Sequence, residues 1–380
     1  MLLDIRSAKE AMVLSDLRVS LLAAFAMTVV ASTCARAEIL IATAGPMTGR
    51  NVFRGEQIRQ GAEMAVAHIN AAGGVLGENV RLILGDDACD PGQAVAVANK
   101  LVGDGVVFVA GHTCSHSSIP ASKIYEEAGV IMISPASTNP RLTDEGGDSV
   151  FRVCGRDDQQ GIVAGDYLAD AWGDKKIAIL HDNSTYGKGL ADETRKQLNK
   201  RGVQESMYEA YVPNKWEYSE LVSGMQSASI DVFYLGGYAP EAALILRQAR
   251  ARDDSVQLVG GDSLTTDEFW MITGPSGEGT LVTFGPDPRA NAEALPVVKQ
   301  FRDQGFEPSG YTLHTYAAVR VWAEAVEKAG SLDLEAVIKS IRSHKFQTVL
   351  GEIGFDENGD VTASGYVWYV WKNGDYVLFE

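Results

Sequence analysis

The stretch that decides the fold is Val80–Ser134, VRLILGDDACDPGQAVAVANKLVGDGVVFVAGHTCSHSSIPASKIYEEAGVIMIS. Three short runs in it, VRLIL (80–84), VVFVA (106–110) and VIMIS (130–134), are apolar and rich in β-branched residues, the composition of buried strands. The segments between them, 92–105 and 117–129, carry apolar residues at helical spacing, and Pro91 is well placed near the start of the first. Strands that are apolar on both faces, joined by helices rather than tight hairpins, predict a parallel sheet covered on both sides.

The same rhythm continues outward. Upstream, EILIATA (38–44) predicts a strand, and 55–74 a helix with Ile58, Ala62, Ala65, Val66 and Ile69 on one face and Gly73-Gly74 as its stop. Downstream the pattern restarts, with helices expected at 157–172, 186–202, 216–228 and 240–253 and strands at 176–182, 231–237, 256–262 and 279–285. A last segment adds helices at 293–304, 312–329 and 333–343 and closing strands near 347–355, 366–371 and 375–379, too little for a third α/β domain. The simplest account is a chain that crosses back to complete two doubly wound lobes, 38–156 with 286–363 and 157–285 with 364–380. The cleft at the hinge between two such lobes is the natural place for a ligand.

Length and charge agree with this division. A chain of 380 residues suits two lobes better than one core. A net charge of −17 argues against nucleic acid and anionic membrane surfaces as partners, because both require a basic face. The N-terminus has the three parts of a secretory signal: Arg18, an apolar run from Val19 to Val30, and Ala35-Arg36-Ala37. Residues 1–37 are therefore expected to be a signal peptide cleaved after Ala37, with Met12 an alternative start and Cys34 an alternative lipidation site; no other apolar run is long enough to span a membrane. Export leaves Cys89, Cys114 and Cys154 in an oxidising compartment, where two of the three are expected to pair, and three pairings are open.

Ligands in open α/β sheets sit beyond the carboxyl ends of the strands. The turns there read GPMTGRNVFRG (45–55), GHTCSHSSIP (111–120), SPASTNP (134–140), HDNSTYGKG (181–189), GGYAPE (236–241) and GGDSLTT (260–266), gathering small hydroxyls, Asp and Tyr. GHTCSHSSIP allows several readings. A catalytic Cys114 needs a thiolate and a positioned base, which a disulfide removes. A metal on His112, Cys114 and His116 lacks a fourth ligand. Ser115, Ser117 and Ser118 ahead of a helix, with Pro120 in its first turn, form either a carboxylate site or plain caps. Ala136 offers a carbonyl and Thr138 a hydroxyl, Tyr186 a wall or donor, and Asp262 a carboxylate for an ammonium or a helix cap. No metalloprotease, hydrolase-elbow, Walker or dinucleotide motif appears in the required context, so no catalytic residue, cofactor or metal is expected.

At residues 86–143, 177–198, 231–250 and 313–326 the sequence resembles the periplasmic leucine/isoleucine/valine-binding proteins of ABC uptake systems. The resemblance implies a type I periplasmic binding fold with three crossovers, a Cys89–Cys114 disulfide, a monomer, and delivery of an α-amino acid, branched-chain or otherwise aliphatic, to an ABC permease. It assigns the ligand carboxylate to Ser115 and Thr138, the ammonium to the Ala136 carbonyl and Asp262, and cleft walls to Tyr186, Tyr238 and Tyr311. Cys114, Thr113 and Phe53 complete the expected site. Three positions depart from the family pattern, which has a glutamate at Asp262, an aromatic hydroxyl at Phe53 and an aliphatic residue at Thr113. These departures leave the exact side chain of the ligand open; the alternatives are a sensor, a binder of another small carboxylate, amide, short peptide or aromatic ligand and, more remotely, a hydrolase.

Overall fold

A computed structural model describes residues 38–253, 255–362 and 365–379; the expected signal segment lies outside them. The chain runs β1 (Ile39–Gly45), α1 (Val52–Ala71), β2 (Val80–Asp86), α2 (Pro91–Gly103), β3 (Phe108–Gly111), α3 (Ser115–Ala128), β4 (Ile131–Ser134), a short α4 (Arg141–Asp144) and β5 (Val150–Arg152). These strands form one parallel sheet in the order β2-β1-β3-β4-β5. The winding then repeats: α5 (Asp157–Trp172), β6 (Ile177–His181), α6 (Thr185–Lys200), β7 (Met207–Ala210), α7 (Ser219–Ser227), β8 (Val232–Gly236), α8 (Ala239–Arg250), β9 (Gln257–Gly260), α9 (Asp267–Thr273) and β10 (Leu281–Phe284). The last segment supplies α10 (Leu295–Asp303), α11 (Thr312–Ala329), α12 (Leu334–Ser343), a hairpin of β11 (Phe346–Thr348) and β12 (Gly351–Ile353), then β13 (Val367–Lys372) and β14 (Asp375–Leu378). The second sheet is ordered β14-β13-β10-β9-β8-β6-β7, parallel except for β13 and β14.

Both sheets are covered on both faces, as the apolar strands predict. One face of the first sheet packs on α1, α10, α11 and α12, where the rings of Phe108 and Trp322 stack 5.0 Å apart; the other packs on α2 and α3. The second sheet is enclosed by α7–α9 on one side and α5–α6 on the other. Helices α5 and α6 touch closely because Gly161 and Gly165 carry no side chain: a Cβ at Gly161 would lie 2.6 Å from Glu193 Cβ. The last segment thus serves both sheets, its helices packing on the first and β13–β14 extending the second.

Three expectations are corrected. The strand expected over 347–355 is a hairpin, because Gly351 turns the chain with φ 91°. Strands β5 and β7 are additional; β5 is three residues long and ends on buried Arg152, and β7 is a half-exposed edge, so neither has an apolar run. Helix α3 begins at Ser115, two residues early, so Ser115, Ser117 and Ser118 lie within its first turn and Pro120 in its second.

Candidate functional site

In each sheet the strand order reverses at one point, between β1 and β3 and between β6 and β8. Chains leaving adjacent strands there diverge to opposite faces and open a crevice at the carboxyl ends. The expected site residues lie in the turns and first helical turns at those ends, with Asp262 and Tyr311 beside them.

On the first sheet, Ser115 is the first residue of α3, and Cys114 is its cap residue without a side-chain capping bond. The N–H groups of Ser117 and Ser118 bond the Cys114 carbonyl (2.8 and 2.9 Å), leaving the preceding N–H groups outside the helical ladder. Ser115 Oγ accepts a bond from the Asn139 N–H (3.3 Å), which ties the turn 134–140 to the helix start. Thr138 is fully buried, and its hydroxyl faces the Asp157 carboxyl without closing a hydrogen bond of ordinary geometry. The turn is held from beneath by Ser134, whose Oγ donates to the His112 carbonyl (2.9 Å), and by Arg152, which donates to the carbonyls of Ser137 (3.0 Å) and Asn139 (2.9 Å). A first-turn dipole, a buried hydroxyl and a rigid turn are together chemically suited to a carboxylate.

Cys114 is bonded to Cys89 with Cα atoms 5.6 Å apart, and it packs in one cluster with Tyr186 and Tyr238. Cys154 is a buried free thiol pushed well up by burial, which makes it an inert core group. His112 is scaffold, its ring bridging Asp87 (2.6 Å) and Tyr125 (3.0 Å) in the interior. Cys89, Cys114 and His116 are the one group among the described residues whose ligand atoms cluster closely, but the sulfurs are joined to each other and are not thiolates.

From the second sheet, Asp262 begins a turn just past β9 and is wholly buried. It accepts hydrogen bonds from Tyr186 (3.0 Å) and Tyr311 (2.6 Å), two groups far apart in sequence. Burial first and Asp262 second push both phenols well above their usual range, so they stay neutral donors. The Tyr238 ring lies 5.3 Å from Tyr186, and its hydroxyl has no partner. Asp157, at the start of α5, is likewise pushed well up by burial and then by Asp262; its N–H donates to the Thr138 carbonyl (2.8 Å). It was not among the expected site residues.

The main correction concerns Phe53. It is half-buried and belongs to no core cluster; the residue that reaches the site is its neighbour Arg54, 5% exposed, with its guanidinium 5.3 Å from the Tyr311 ring and 5.7 Å from Tyr238. Thr113 is buried as expected, its hydroxyl meeting only the Cys114 sulfur at 3.9 Å. Two further contacts join the turns of the two sheets: Asn139 donates to the Thr185 carbonyl (2.9 Å), and Arg50 pairs with Glu241 (2.7 Å) while lying over the Trp216 ring.

Among known proteins, the chain matches the family described as periplasmic binding protein over residues 38–375. It is 47% identical over 339 residues to the "Leu/Ile/Val-binding protein homolog 1" of Brucella suis, covering 89% of this chain and 91% of that one. It is 41% identical to the leucine-, isoleucine-, valine-, threonine- and alanine-binding protein of Pseudomonas aeruginosa, covering 90% and 89%. Among solved structures it resembles a leucine-binding protein of Thermotoga maritima (TM-score 0.83, 30% identity, 90% and 98% covered). It also resembles a branched-chain amino acid transporter substrate-binding protein of Streptococcus pneumoniae in complex with isoleucine (TM-score 0.81, 25% identity, 90% and 100% covered). Among the described residues no helix is long and apolar enough to cross a membrane.

Proposed function

We propose a function from one premise: the chain belongs to the periplasmic binding protein family. The protein captures an α-amino acid outside the cytoplasm and delivers it to an ABC permease, without catalysing a reaction and as a monomer. The relatives' names support branched-chain and other aliphatic amino acids as ligands. The observation that carries the reading is Asp262, a buried carboxylate held by two neutral tyrosines and so able to receive an ammonium, in a site that also contains the Ser115–Thr138 cradle. The ligand carboxylate meets Ser115 and Thr138, and its ammonium meets Asp262 and the Ala136 carbonyl.

Lobes 38–156 with 286–363 and 157–285 with 364–380 close on the ligand. The contacts made only on closure are what shift the open–closed equilibrium. A thermal-shift screen of the amino acids tests the reading: leucine, isoleucine or valine is expected to raise the melting temperature, and a flat response to every α-amino acid sinks it. Cleavage after Ala37 is expected to give an N-terminal Glu38, checked by the intact mass of the exported protein.

Arg50 acts as a latch at the rim. Its ion pair with Glu241 and its contact with Trp216 hold only when the cleft is shut. Arg50→Ala is expected to weaken binding by about 0.5–1.5 kcal/mol, mainly as faster release. Stopped-flow tryptophan fluorescence checks this, because Trp216 is 80% exposed and its indole loses the guanidinium on opening. An unchanged off-rate would remove the latch role.

A further inference from the structure

We propose that Arg54 forms a side-chain subsite in the same cleft, and that beside aliphatic amino acids the site takes α-amino acids whose side chain ends in an oxygen acceptor, a carboxylate or a carboxamide. The inference rests on the amino-acid reading above and concerns the ligand side chain alone.

Arg54 is the third residue of α1 and is 5% exposed, yet its Nε and Nη1 donate to nothing in the protein. Buried guanidinium donors are nearly always satisfied, because each unsatisfied group loses its water without replacement. The faces of Tyr238 and Tyr311 attract the cation, but ring faces accept no conventional hydrogen bond from Nε or Nη1. Asp262 and the phenols around it hold the guanidinium charged against burial, although no carboxylate lies within ion-pairing distance of it among the described residues. Asp157, another buried carboxyl of the site, is pushed toward its neutral form by burial and then by Asp262.

The charges in the cleft can then be matched to a ligand. The α-ammonium takes Asp262, and the α-carboxylate takes the start of α3. An aliphatic side chain leaves Arg54 as a buried cation with two idle donors, the arrangement that costs most. A terminal carboxylate accepts both N–H groups and cancels the charge, and a carboxamide oxygen satisfies the donors alone. The Tyr238 hydroxyl, also without a partner, belongs to the ring that lies 5.7 Å from the guanidinium and supplies another polar contact.

Calorimetry of the exported chain with L-glutamate, L-glutamine, L-aspartate and L-leucine tests this, in the native protein, Arg54→Met and Arg54→Lys. At least one acceptor-bearing amino acid is expected to bind the native protein no more weakly than leucine. Glutamate above glutamine assigns a carboxylate, and the reverse assigns a carboxamide. Arg54→Met is expected to lose at least tenfold for that ligand while gaining for leucine, and Arg54→Lys to keep part of the preference. Leucine binding without glutamate, glutamine or aspartate overturns the subsite and leaves the amino-acid reading standing. Equal losses for both ligands in Arg54→Met also overturn it. Failure of every α-amino acid overturns the amino-acid reading and the subsite together. If Arg54→Met does not fold, the native preference and Arg54→Lys still decide.

Discussion

Asp262→Ala is expected to weaken binding of the preferred amino acid by ~2–4 kcal/mol, roughly 30- to 1000-fold. The loss has two parts. The ligand ammonium enters a buried site without a counter-charge, and the hydroxyls of Tyr186 and Tyr311 lose the acceptor they share. Arg54 also loses the strongest influence holding it charged. Asp262→Asn keeps the size and one acceptor oxygen, so it separates charge from shape and is expected to recover folding but little affinity. Calorimetry on both variants decides the matter, and unchanged affinity in Asp262→Ala would falsify the ammonium role.

The second large effect concerns stability. Asp360 receives Arg152 Nε at 2.5 Å and Arg156 Nη1 at 2.7 Å, and the Thr143 hydroxyl donates to it at 2.9 Å. Arg152 is wholly buried and Asp360 nearly so. Removing the carboxylate strands a buried guanidinium, so Asp360→Ala is expected to cost ~3–5 kcal/mol in chemical denaturation. The same guanidinium holds the carbonyls of Ser137 and Asn139. Folded Asp360→Ala protein is therefore expected to bind more weakly as well, although Asp360 is assigned no contact with the ligand. A loss under about 1 kcal/mol would show that water replaces the carboxylate and that the network is not the support of the cradle.

Much of this arrangement is legible in the sequence. Apolar strands alternating with amphipathic helices are local signals, set by side-chain periodicity within about twenty residues. The turns at the strand ends were legible for the same reason, and with them Ser115, Ala136, Thr138 and Tyr186. Phe53 shows the limit of that resolution. One residue along a helix turns a side chain by ~100°, so choosing between Phe53 and Arg54 depends on where α1 begins. The signal was present: Arg54, Gln57, Ile58 and Gly61 form one buried row, and running the apolar face of Ile58 back one turn lands on Arg54. A charged residue on an apolar face runs against the usual exposure of charge, so periodicity alone does not select it.

By itself, then, the sequence determined the two-fold repetition of a parallel α/β unit, the crossing back of the last segment, and the polar character of the turns. Tertiary structure alone decided which distant groups meet. Asp262 gains its donors from residues 76 and 49 positions away, and Arg152 finds Asp360 across 208. Arg54 comes to rest over rings from positions 238 and 311. Periodicity fixes which way a side chain points along its own helix or strand. The partner that neutralises a buried charge is set by the winding of the sheets and the return of the chain, over distances no local pattern spans.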